Sequence, residues 1–339
     1  MMGHIIQKRI EVFATLSEIV GYKAGLALTR QDIVDHLPED NDLWSGDGEK
    51  TLRLEFSGYE ALITRLLFRL GVTPRPYRVT PGIVLRNKYQ GDPKKIALLN
   101  AILEQFADFF DADFLDQHGR EGGPIDLTPF MIQVVNRYKT SSAIEMVEEF
   151  ITELEIFLQS GPNLNFRQQE WKDVIALEDL FKSESLETYY GTFFDQRFID
   201  YLSNNFDAIG HIHWRKFEGL TAEFFDRSGF NVEIGPGRND DSVDVRVWPK
   251  DADKHLPPTM LVQCKRQKDK IEKVVVKALY ADILEAQAQS GLIVTTSVLS
   301  PGAEKVCTVR AYPITQASRE TLKQWITTMR TPYTGVFLG

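Results

Sequence analysis

Three residues carry most of the chemical potential of this sequence: Asp244, inside the apolar run Val243-Asp244-Val245-Arg246-Val247-Trp248, and Gln263 and Lys265, two apart in Met260-Leu261-Val262-Gln263-Cys264-Lys265. Strand alternation puts Val243, Val245 and Val247 on one face and Asp244, Arg246 and Trp248 on the other. In the second run it puts Leu261, Gln263, Lys265 and Gln267 on one side, with Gln263 and Lys265 about 6 to 7 Å apart. Phosphodiester hydrolysis calls for a hard cation that polarises a phosphate oxygen and activates water, and for a positive group beside the attacking water or the developing charge. Aspartate suits the first need and lysine the second. In an arbitrary protein such an Asp and Lys form only a surface ion pair, so the surroundings must decide.

The surroundings read as short strands alternating with helices from residue 210 onward, an α/β pattern with a mixed central sheet flanked by helices. Trp214 to Ser228 spaces Phe217, Leu220, Thr221, Phe224 and Phe225 as a helix does, and Gly229 stands where a helix end favours glycine. Strands are expected at 230–234, 243–248, 259–266 and 292–296, with a Gly235-Pro236-Gly237-Arg238-Asn239 turn after the first. Helices are expected at 271–289 and from Pro301. Tyr312 to Thr315 and Arg319 to Met329 give an edge strand and a closing helix.

With these landmarks in order, residues 212–328 resemble the PD-(D/E)xK nucleases, and among them the Mrr-like restriction endonucleases, where glutamine replaces the usual acid. The matching pieces are Phe217-Glu218-Gly219-Leu220 with Phe224-Phe225, Gly229-Phe230, Asp241-Ser242-Val243-Asp244-Val245, Val262-Gln263-Cys264-Lys265-Arg266, and Ile293-Val294-Thr295-Thr296-Ser297 through Pro301-Gly302-Ala303. The joint pattern is specific although each piece alone is weak. The resemblance implies that Asp244 is the metal-binding carboxylate, Lys265 the catalytic lysine, Gln263 an organiser of the metal and its waters, and Glu218 an auxiliary acid. It implies Mg²⁺ as cofactor, with Mn²⁺ able to substitute. Glutamine brings no charge, which leaves Glu218 or water to complete the shell. The glycines usual before the aspartate are here Asp240-Asp241-Ser242, which leaves open the acid that approaches the metal; its strand position favours Asp244.

Around this centre lie Lys265, Arg266, Lys268, Lys270, Lys273 and Lys277, interrupted by Asp269 and Glu272. Such a run is usually a solvated face. Beside a phosphodiester-cutting centre it is also a sequence-independent, salt-sensitive footprint for DNA phosphates, assigned here to Arg266, Lys268, Lys270, Lys273 and Lys277. Cys264 shares a face with Met260 and Val262 and reads as a small core side chain rather than a nucleophile. His211 and His213 have no third ligand nearby in sequence and read as linker.

Over all 339 residues, 43% are hydrophobic and 26% charged, as in ordinary globular proteins, and the length suits two domains. The two cysteines form neither a disulfide framework nor a zinc cluster. No apolar run approaches the roughly 18 residues that span a bilayer, and no export signal is visible, so a cytoplasmic, non-membrane protein is expected. The net charge of −9 is unevenly distributed. Residues 1–209 hold 21 Lys and Arg against 33 Asp and Glu, a net −12, whereas 210–339 hold 18 against 15, a net +3. The C-terminal part is the one suited to phosphates.

Residues 1–209 read as a mainly α-helical domain with a sensor, DNA-docking or oligomerisation role. Amphipathic stretches fall at 8–20, 51–70, 94–118, 141–159 and 168–204, with breaks at Gly71–Pro76, at Glu121-Gly122-Gly123-Pro124 and at Gly161-Pro162-Asn163. Thr29 is placed to cap a short helix through Leu37, which resembles the first helix of a helix-turn-helix or is plain scaffold.

The function expected is an Mg²⁺-dependent endodeoxyribonuclease in restriction or antiphage defence, acting on DNA as a dimer or higher homo-oligomer because double-strand cutting needs two centres. It could also act with a partner protein of a defence system. The alternatives are a DNA-binding or regulatory protein whose nuclease fold is inactive or partner-activated, and a repair or recombination nuclease.

Overall fold

The computed structural model describes residues 3–110, 126–164, 169–237 and 243–330. Asp240-Asp241-Ser242, Arg238-Asn239, the Glu121–Pro124 break and the far end of the 94–118 stretch lie outside the described residues. The chain divides into two compact units, the first running to Ile175 and the second beginning at Ala176. Residues 176–209 thus belong with the C-terminal unit, upstream of the change of pattern at residue 210.

The first unit is mostly helical. Strand β1 (His4–Lys8) leads into α1 (Arg9–Ala24), and the two-residue β2 (Leu26–Ala27) precedes α2 (Arg30–His36) and α3 (Asn41–Trp44). Thr29 caps α2 as its sequence implies: its hydroxyl accepts the Asp32 N–H at 3.1 Å, and the Asp32 carboxylate accepts the Thr29 N–H at 2.7 Å.

The 51–70 stretch is not one helix. Thr51–Glu55 forms β3, antiparallel to β1 with Ile6 opposite Arg53, and only then does α4 (Phe56–Arg69) begin. The alternation of Leu52 and Leu54 with Thr51, Arg53 and Glu55 is a strand period that the neighbouring helical periodicity masks. Helices α5 (Pro81–Lys88), α6 (Pro93–Phe109), α7 (Thr128–Tyr138) and α8 (Ser141–Gln159) enclose a core that includes Leu99, Ile102, Phe130, Val134, Val147 and Phe150. Phe106 sets its ring edge-on to Phe130 and Phe150 in this core.

The short β4 (Ile175–Ala176) precedes the second unit's first helices, α9 (Asp179–Lys182) and α10 (Gln196–Asn204). The expected helix over 168–204 is therefore broken. The Ser183 and Ser185 hydroxyls accept the backbone N–H groups of Ser185 and Glu187, local bonds that compete with a helix. Gly191 has φ +156°, and a Cβ there would lie 2.2 Å from the Phe194 carbonyl oxygen.

Helix α11 (Trp214–Arg227) then leads into β5 (Phe230–Ile234), β6 (Val245–Pro249), β7 (Met260–Lys265), α12 (Lys273–Glu285), β8 (Ser290–Thr295), α13 (Pro301–Val309), β9 (Ile314–Ala317) and α14 (Arg319–Met329). The strands form one mixed sheet in the order β5-β6-β7-β8-β9, antiparallel through β5, β6 and β7 and parallel through β7, β8 and β9. One sheet face carries Leu261, Ile293 and Ile314 against Val276, Leu279 and Ile283 of α12 and Ala303 of α13. On α11, Phe224 stacks on Trp325 of α14 with ring centroids 4.1 Å apart. Gly229, at φ +86°, ends α11 in the left-handed conformation its position suggests. Among the described residues no helix is long and apolar enough to cross a membrane.

Candidate active site

Helix α11 brings the first acid. His213 caps it, its Nδ1 accepting the Arg215 N–H at 3.2 Å, so this histidine is committed to the helix start. His211 is exposed. Glu218 follows one turn later and is only 5% exposed. Its Oε2 accepts from Arg215 Nη1 at 2.8 Å, a pair at i,i+3 spacing on one helix.

Despite that cation, burial and the neighbouring Asp244 charge push the Glu218 carboxyl up to about 8, and the two carboxyls are hydrogen-bonded to each other. Two acids held in contact out of water share a proton at neutral pH because both cannot ionise cheaply.

Asp244 precedes β6 by one residue, and its position departs from simple alternation. Val245 stands opposite Val262, yet the Asp244 N–H also donates to the Val262 carbonyl at 3.0 Å. Two residues of one strand thus face one residue of the other, the arrangement of a β-bulge. Val243 consequently joins the Leu261 and Ile293 core, whereas Val245 follows Val262 onto the other face; the expected sharing of one face by Val243 and Val245 does not occur. The Asp244 carboxylate is fixed by the Cys264 N–H, which donates to its Oδ2 at 2.6 Å. Asp244 is thereby joined to the Gln263–Lys265 stretch through the backbone of the residue between them.

Gln263 is 3% exposed, and its side-chain oxygen is buried without a hydrogen-bond donor among the described residues. An orphaned buried acceptor is costly unless a bound water or ion satisfies it. Lys265 ends β7 partly exposed. Burial first, then the charges of Asp244 and Glu218, raise the Cys264 thiol well above its ordinary range, while Lys265 pulls it down. Burial above all keeps the thiol protonated, which fits a core side chain and not a nucleophile.

The basic residues separate into two kinds. Arg266 is tied to protein, Nη1 donating to the Gly210 carbonyl at 2.7 Å. Lys268, Lys270, Lys273 and Lys277 are exposed, the last two on the first turns of α12.

Two features were not anticipated from the sequence. Arg215 is one, although its i,i+3 spacing from Glu218 was a readable signal. The other is Glu223, 1% exposed on the same helix, which accepts the N–H groups of Thr192, Phe193 and Phe194 at 2.7 to 3.2 Å and pairs with Arg227 at 2.7 Å. Its partners come from a loop some 30 residues away in sequence, beyond the reach of local patterning.

The donor set fits a hard divalent cation: two acid side chains paired with each other, Glu218 holding a proton because it is buried and faces Asp244, and on the neighbouring strand a buried Gln263 oxygen without a donor among the described residues. No group of three or more His, Cys, Asp or Glu side chains suited to a metal occurs among the described residues, so a metal here would draw on the glutamine oxygen and on water.

Comparison with known proteins gives the same segment a family. Residues 209–326 match the family model of the Mrr catalytic domain, described as restriction endonuclease. An uncharacterized protein, y4cE, of Sinorhizobium fredii is 27% identical over 115 residues, covering 34% of this chain and 29% of that protein. The chain thus spans under a third of this relative's length. Among solved structures, MspJI restriction endonuclease in complex with a 27-mer oligonucleotide matches at 18% identity and a TM-score of 0.26, over 52% of this chain and 40% of that one. The C-terminal segment, residues 209–326, carries a restriction-endonuclease domain of the Mrr catalytic family.

Proposed function

We propose that the protein is a divalent-metal-dependent endodeoxyribonuclease, with Mg²⁺ the expected metal and Mn²⁺ a substitute, serving restriction or antiphage defence in the cytoplasm. The observation that carries this reading is the pairing of the Glu218 and Asp244 carboxyls, with Asp244 fixed by the Cys264 N–H between Gln263 and Lys265. Asp244, Glu218 and Gln263 would hold the cation, which when bound supplies Lewis-acid polarisation of a phosphate oxygen and activation of the attacking water. The Cys264 N–H keeps the Asp244 carboxylate aimed. Lys265 places its charge where the phosphate becomes more negative. Lys268, Lys270, Lys273 and Lys277 would grip the DNA backbone without reading sequence, and Arg266 steadies the start of that loop from within the protein.

The helical N-terminal unit is the natural place for target sensing, DNA docking or self-association, and double-strand cutting would require a homo-oligomer or a defence-system partner.

The test is cleavage of supercoiled plasmid with Mg²⁺ or Mn²⁺ by the parent, Asp244→Ala and Lys265→Ala proteins. Loss of nicking and linearisation in both variants is expected. Either variant cutting as fast as the parent sinks the reading, and salt-sensitive DNA binding with no cleavage by any of the three favours a regulatory protein on a silent nuclease fold.

A further inference from the structure

The parallel ladder between β7 and β8 ends at the registered pair Lys265 and Thr295. Backbone pairing resumes only at Ile271, whose N–H donates to the Val298 carbonyl and which bridges Leu299. Between these points runs the basic loop that follows Lys265. Its main-chain polar groups must find partners elsewhere.

They find three consecutive hydroxyls. Thr295 Oγ1 donates to the Lys265 carbonyl at 2.8 Å and accepts the Ser297 N–H at 3.0 Å. Thr296 Oγ1 accepts the Gln267 N–H at 3.1 Å and donates to the Gln267 carbonyl at 2.9 Å, satisfying both main-chain groups of one residue as a neighbouring strand would. Ser297 Oγ donates to the Lys268 carbonyl at 3.2 Å. Gln267 then folds its own amide onto the Asp269 carbonyl at 2.9 Å.

We propose that Thr295, Thr296 and Ser297 are a hydroxyl clamp that positions Lys265 for the reaction and holds the loop bearing Lys268 and Lys270 in its DNA-facing path. The proposal rests on the reading of Lys265 as the catalytic lysine. Thr295 is fully buried, so its hydroxyl has no competing water. Its bond fixes the peptide plane that leaves Lys265, and with it the direction in which the lysine side chain departs from the strand end. Thr296 and Ser297 act one step later, on residues 267 and 268. The clamp therefore separates two jobs: Thr295 governs the chemical step, and Thr296 governs the grip on DNA. All three are positioning residues.

The experiment uses the full chain on supercoiled plasmid with Mg²⁺. Thr295→Val keeps the shape of the side chain and removes both of its bonds. It is expected to lower kcat by about 10- to 100-fold, the scale of a roughly 1 Å misplacement, while KM for DNA stays within about twofold. Thr295→Ser is expected to restore most of the rate, which a loss of packing alone would not predict. Thr296→Val should do the reverse, raising KM with kcat little changed.

Amide hydrogen exchange on the peptide spanning residues 265–271, read by mass spectrometry, gives a measure independent of cleavage. In Thr296→Val the Gln267 amide should exchange at least about tenfold faster. The clamp is overturned if Lys265→Ala is inactive while folded Thr295→Val keeps the parent kcat, or if exchange is unchanged in Thr296→Val. A Lys265→Ala protein that cuts like the parent instead defeats the reading of the site, and the exchange result still decides whether the clamp exists.

Discussion

Two buried glutamates five residues apart on α11 have opposite fates. Glu223 receives three backbone N–H groups and Arg227, a complete complement of donors supplied by the fold. Glu218 receives Arg215, but its burial and then the facing acid, Asp244, push it to hold a proton. A buried carboxylate whose needs the protein meets is scaffold. A buried carboxylate set against another acid is costly to ionise, and a bound cation would offset that cost.

The comparison can be broken or sharpened by measurement. The largest effect is expected at the site: Asp244→Ala should reduce plasmid cleavage on the order of 10³-fold, because metal-assisted charge stabilisation contributes several kcal/mol. Circular dichroism should find that protein folded. Glu223→Ala should cost about 1 to 3 kcal/mol of stability in a urea titration, since it leaves the buried Phe194 N–H without its acceptor and unties Thr192 and Phe193. If its stability matched the parent's, the division between scaffold and site would collapse.

For Glu218 the expectation runs the other way. Its carboxyl is raised from 4.5 to about 8 in the folded protein. Between those values the native state holds a proton that the unfolded chain has released. In EDTA, the stability this group contributes is full below pH 4.5 and is lost as pH rises through about 8. Glu218→Gln should flatten that decline in thermal melts between pH 5 and pH 8, and calorimetric titration should show weaker Mn²⁺ binding. The smallest effect on the fold is expected from replacing Lys268, Lys270, Lys273 and Lys277 together by Gln. Stability should move by no more than about 0.5 kcal/mol for each exposed site. The slope of log K against log salt should fall by about 0.9 for each phosphate that is no longer neutralised, and an unchanged slope would remove these lysines from the DNA footprint.

Much of the C-terminal architecture is readable in the sequence because each element there carries its own period. Phe230–Ile234 and Arg319–Met329 fall where strand and helix patterns put them, and Gly229 closes α11. The N-terminal reading blurred where two periods abut, as at Thr51–Glu55, and where serine hydroxyls and Gly191 divert a chain that otherwise looks amphipathic.

At the site the residue types were legible and their geometry only partly so. Gln263 and Lys265 follow strand alternation, but alternation cannot foresee the bulge that turns Val243 and Val245 to opposite faces. Nor can it foresee that Asp244 is held by the N–H of Cys264, a main-chain group with no signature in side-chain type. Glu223 escaped for the same reason, since its donors are backbone groups brought in by tertiary folding.

Strand β7 lies third of five in its sheet, with β6 and β8 occupying both of its edges. Where a strand is enclosed in this way it does not fray; it opens when the whole sheet opens. The Met260–Val262 stretch, paired on both edges, should therefore be among the last segments of its unit to exchange amide protons. Gln263 to Lys265, paired with β8 alone, should exchange before it, so the candidate site can loosen on heating while the centre of the sheet is still closed.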